Sequence, residues 1–71
     1  MRFEAYLDPG ETDERLPEWR VVEWTYVNTE TGAKSGRSVF RTYDLETGQR
    51  EAEMIAANLQ EAYNLEFYYV A

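Results

Sequence analysis

Hydrophobic and polar residues change rhythm several times along the chain, and each change predicts an element. Residues Arg2–Leu7 alternate, with Phe3, Ala5 and Leu7 on one side and Arg2, Glu4 and Tyr6 on the other, the period of a short strand. Asp8-Pro9-Gly10 ends it in a turn, because Pro fixes φ and Gly admits positive φ. Asp8–Glu18 follows as an acidic loop, anchored by Leu16 and closed by Pro17. Trp19–Asn28 carries the densest β-branched and aromatic content, Val21, Val22, Trp24, Thr25, Tyr26 and Val27, and reads as a strand with neither face cleanly polar. Thr29–Gly36 is turn chemistry, and Arg37–Tyr43 resumes a strand, so the two should form an antiparallel hairpin with a long tip.

From Asp44 the period shifts to 3.6. Asp44 or Thr47 serves as N-cap. Ala52, Ile55, Ala56, Leu59, Ala62 and Tyr63 fall on one helical stripe, while Arg50, Glu53, Asn58, Gln60 and Glu61 point mainly outward. Three alanines in the stripe would let the helix lie close to a sheet. Glu46 and Arg50 form a favourable i,i+4 pair, and Asn64 suits a left-handed C-cap. Leu65–Ala71 alternates again and reads as a final strand. The expected fold is α+β, ordered β-β-β-α-β, a single domain with one mainly antiparallel sheet and one helix on one face. A right-handed crossover through the helix makes the last strand parallel to the third, with spatial order 4-1-2-3.

Composition narrows the function. The 71 residues hold 7 basic and 14 acidic side chains, a net charge of -7, with no Cys and no His. That excludes a disulfide scaffold, a Cys/His zinc site, and a His base or Cys nucleophile. It argues against direct contact with nucleic acid, which needs a basic surface. No apolar run is long enough to span a membrane or follows a charged start as a secretory signal would, so the expectation is a cytoplasmic protein. Six Arg stand against one Lys, which composition bias explains as readily as any site. The large apolar side chains favour a folded chain over a disordered one.

Motifs for chemistry are weak. Gly32-Ala33-Lys34-Ser35 lacks the leading Gly of a phosphate loop and falls in a hairpin. Asp8, Glu11, Asp13 and Glu14 do not have calcium-loop spacing. Carboxylate pairs such as Glu51 with Glu53 have no cleft to work in, so the chain is read as no enzyme, with no cofactor and no metal. The aromatic content, two Trp, six Tyr and three Phe, is the sharper feature. One helix covers one sheet face, so some of Trp24, Tyr26 and Tyr68 should face away from it. Such residues either pair across strands or anchor an interface.

The acidic chain with a hairpin feeding one helix, from Arg20 to Tyr63, loosely resembles small phage- or plasmid-encoded inhibitors of host defence of the anti-CRISPR or anti-restriction type. The resemblance rests on size, charge and outline, carries no diagnostic motif, and implies only a partner class: a nucleic-acid-handling host complex. The function expected is therefore a protein-binding module, an inhibitor that mimics nucleic acid and docks on a basic surface of a heterologous protein. Its candidate contacts are Glu11, Asp13, Glu14, Glu18, Glu23, Trp24, Tyr26 and Tyr68. The alternative is a self-associating structural domain, a homodimer paired through its aromatic face, with acidity serving solubility alone.

Overall fold

The computed structural model describes residues 2–10 and 15–70, with side chains through residue 66. Its elements are β1 (Phe3–Asp8), β2 (Glu18–Val27), β3 (Lys34–Thr42) and α1 (Gly48–Val70). The three strands form an antiparallel meander in the order β1-β2-β3. The α+β class and the strand-strand-strand-helix order are those expected from the sequence.

One expectation is corrected. The final strand over Leu65–Ala71 is not formed: the chain stays helical through Val70, and Ala71 lies outside the described residues. No Gly or Pro interrupts residues 49–70, so nothing local stops the helix. Asn64, expected as a C-cap, lies inside α1, where its Oδ1 accepts a 2.9 Å bond from Gln60 Nε2 one turn back. Helical continuation satisfies the backbone without any new strand partner, and that outweighs the β propensity of Phe, Tyr and Val. With no fourth strand there is no crossover, and the 4-1-2-3 order gives way to a plain meander.

The hairpin tip is shorter than expected, because β3 begins at Lys34. Asn28 organises it: its Oδ1 accepts from the Glu30 and Thr31 amides, and its carbonyl accepts from Gly32 N at 2.8 Å. Gly32 has φ 75°, which a side chain would resist. Register shifts lie between Val21 and Val22 and between Trp24 and Tyr26, where Val39 and Thr25 are the extra residues of two bulges.

Strand pairing sorts the side chains onto two faces. Phe3, Ala5, Trp19, Val21 and Phe40 meet α1 through Ala52, Ile55, Ala56, Leu59 and Tyr63. Val21 and Ala52 are completely buried. A Val so placed contributes roughly 1.5–3 kcal/mol through burial. The predicted helical stripe is therefore the contact stripe, except that Ala62 is exposed. Small Ala side chains bring the helix down onto β1 and β2, while β3 stays largely exposed. Phe3 and Tyr63 close the end of this core edge-to-face at 6.5 Å, with the Arg2 guanidinium 5.0 Å above the Tyr63 ring.

The helix start is fixed by Asp44 and Thr47 acting together. Asp44 Oδ1 accepts from the Glu46 and Thr47 amides, and Thr47 Oγ1 donates to Asp44 Oδ2 at 2.9 Å. The Thr47 carbonyl then accepts the first helical bond, from Glu51 N at 3.0 Å. These bonds hold the Asp44 carboxyl below its usual range, the Thr47 amide foremost.

Candidate functional site

The sheet face turned away from α1 carries a ladder of charges. Asp8 lies directly across from Glu18, and Arg20 directly across from both Tyr6 and Arg41. Arg41 grips Glu18 in a two-pronged contact, Nη2 to Oε1 at 3.0 Å and Nε to Oε2 at 3.2 Å. Arg20 also pairs with Glu18 and reaches Asp8 at 3.1 Å. Arg15 adds a 2.9 Å contact to Asp8, whose other oxygen accepts from the Gly10 amide. Glu18 is only 2% exposed. The Arg41 contact, with Arg20 behind it, holds its carboxyl below the usual range against the opposing effect of burial. Asp8 is held low chiefly by the Gly10 amide, with Arg15 and Arg20 assisting.

Glu18 was expected to be part of an acidic patch offered to a partner, and the structure instead spends its charge on Arg20 and Arg41. Glu23 behaves alike. It bonds Arg37 at 2.9 Å and Arg2 at 3.4 Å, and Arg37 foremost keeps its carboxyl low. The other loop candidates, Glu11, Asp13 and Glu14, lie outside the described residues. Tyr68 falls in the last turns of α1, and its side chain lies outside those described.

Of the three aromatics of which some were expected to face away from the helix, Trp24 does so. With Tyr6, Arg20, Val22, Gly36 and Ser38 it lines a shallow depression of about 410 Å³. Gly36 makes room for it: a Cβ there would stand 2.9 Å from the Trp24 ring and 2.7 Å from the Glu23 carbonyl oxygen. Lys34 lies 5.1 Å above the ring. Trp24 Nε1 is buried without a hydrogen-bond partner among the described residues. Tyr26 is 55% exposed but does not line this depression, because the bulge at Thr25 breaks the alternation between them. Trp24 and Tyr26 therefore do not form one aromatic patch.

A larger groove runs between α1 and the outer edge of β1, with a volume of about 560 Å³. Phe3, Ala5, Ala56 and Ala57 line its apolar part, Glu4, Glu53 and Glu61 its acidic part, and Gln60 and Asn64 complete it. Glu4, Glu53 and Glu61 are exposed. Neither Gln60 nor the three carboxylates stood out in the sequence as a site. Their signal is two helical rows at four-residue spacing, Glu53-Ala57-Glu61, where a small residue separates two acids, and Ala56-Gln60-Asn64, where a small residue precedes two amides. Gln60 Oε1 accepts the Arg2 and Phe3 amides at 2.7 and 2.9 Å and so ties α1 to the start of β1.

Among the described residues no three His, Cys, Asp or Glu side chains converge as metal ligands would, and no helix is long and apolar enough to cross a membrane. No protein-family model, no curated protein and no solved structure matches the chain.

Proposed function

We propose that the chain is a small protein-binding module that performs no chemistry, and that the groove between β1 and α1 takes a basic segment of a heterologous partner protein. The observation that supports this is the groove's make-up: an apolar floor of Phe3, Ala5, Ala56 and Ala57 beside the carboxylates of Glu4, Glu53 and Glu61. The floor supplies area to desolvate, and the carboxylates supply steering and register for Lys or Arg side chains. Among the described residues the acidic groove offers a negative surface to a partner, whereas Glu18 and Glu23 already face arginines. A host complex that handles nucleic acid offers basic surfaces of this kind. On this reading the module inhibits such a complex by occupying one of them.

The test is anisotropy of a labelled octapeptide of alternating Lys and Val. Saturable binding is expected, weakening as salt rises from 50 to 300 mM. Changing Glu53 and Glu61 together to Gln should weaken it about threefold to thirtyfold, since exposed ion pairs contribute roughly 0.3–1 kcal/mol each. An affinity indifferent to salt and to both substitutions would rule the groove out.

A further inference from the structure

The two edges of the sheet are built differently. β3, at one edge, is broken by the Val39 bulge and carries Lys34, Arg37 and Arg41, devices that discourage another strand from pairing. β1, at the other edge, pairs with β2 without a register shift from Phe3 to Asp8, and carries no Pro, no Lys and no bulge. The Trp24 amide donates to the Arg2 carbonyl. Antiparallel alternation therefore turns the backbone groups of Glu4 and Tyr6 toward β2 and those of Phe3, Ala5 and Leu7 outward. Gln60 occupies the first outward amide, that of Phe3. The Phe3 carbonyl and the Ala5 and Leu7 amides and carbonyls are directed past the edge, beside the groove.

We infer that the partner segment binds as a fourth strand, added to the outer edge of β1 that no strand among the described residues pairs, with alternate side chains over Ala56 and Ala57. This rests on the reading of the groove as a partner site and specifies its mode: main-chain bonds to Ala5 and Leu7 hold the segment, and pockets on alternate sides select it. Gln60 acts as the stop that sets register, because beyond it the edge is already bonded. The occupant is a basic extended segment and not a second copy of this chain. Pairing β1 with its own twin would bring the acidic groove of each copy beside the other, Glu4, Glu53 and Glu61 against the same three residues. A Lys- or Arg-bearing strand meets them with opposite charge.

The experiment compares the Lys–Val octapeptide with two forms N-methylated on every second amide, in the two alternate settings. Charge and side chains are unchanged, but each setting removes the donors along one edge of the bound strand. One setting should lose at least tenfold in affinity and the other should bind nearly as the parent does. In the parent complex the Ala5 and Leu7 amides should gain protection from hydrogen exchange. Leu7→Pro, which removes an outward donor that β2 does not use, should fold and bind at least tenfold more weakly; if it does not fold, the two methylated peptides decide alone. Equal affinity of both methylated forms, with Ala5 and Leu7 unprotected and the Glu53 and Glu61 substitutions still effective, would overturn strand addition and leave the acidic groove standing. No binding of the parent peptide would overturn both.

Discussion

Phe3, Ala5, Trp19, Val21 and Phe40 are covered by a helix, whereas Asp8, Glu18, Arg20 and Arg41 on the opposite face are covered by one another. The first cover is apolar and indifferent to pH and salt. The second is ionic and holds only while its carboxylates are charged. A chain of this length with one helix cannot enclose a sheet on both sides, and the ion ladder lets the second face remain in water without exposing a bare apolar surface. Burying Glu18 would be costly for a lone carboxylate, and it is tolerated because Arg20 and Arg41 occupy both its oxygens.

The comparison breaks if the helix-covered face is not the stronger one. Val21→Ala removes a fully buried side chain that the helix cannot follow inward, and should cost about 2–3 kcal/mol in urea unfolding, with an unchanged denaturant slope. Glu18→Gln should have the next largest effect, and a different signature. The carboxyls of Asp8, Glu18 and Glu23 are lowered in the folded state, so their stabilisation is present above the unfolded carboxylate values near 4 and is lost as pH falls through the folded ones. Melting temperatures measured from pH 7 to pH 2.5 should therefore drop for the native chain. Glu18→Gln should melt lower at pH 7 yet lose less on acidification. Parallel curves for the two proteins would mean that the ladder does not hold the open face. Smallest is Trp24→Phe, expected to change stability by less than about 1 kcal/mol. The substitution removes an indole N–H that has no acceptor among the described residues and keeps a ring beside Gly36. A larger loss in urea unfolding would show that the open face depends on this indole more than on its ions.

Alternation in Arg2–Leu7 and the 3.6-residue stripe through Ala52, Ala56 and Tyr63 were legible because each pattern faces a single core. The final strand was misread because Leu65–Val70 satisfies β propensity while also continuing the helix, and only the absence of a stop distinguishes them. Plain alternation puts Trp24 and Tyr26 on one face, and the bulge at Thr25 that separates them has no mark in composition. Glu18 looked like surface charge because a count of acids and bases carries no register. The pairing of Asp8 with Glu18, and of Arg20 with Arg41, depends on where the strands align. The groove has no signature in the sequence for a related reason: a third of its lining, Phe3, Glu4 and Ala5, lies some 50 residues from Glu53, Ala57 and Glu61, and only the fold brings them together.

The Gln60 side chain that holds the Arg2 and Phe3 amides bridges 58 and 57 residues of sequence. The β2–β3 hairpin, by contrast, joins neighbours. Closing a span that long costs chain entropy that local contacts do not, so the hairpin is expected to form early in folding and β1 to meet α1 late. A contact made after the barrier acts on the rate of opening and not on the rate of folding. Gln60 would then serve as a latch in time, fixing how often the strand and the helix part company rather than how fast they first meet.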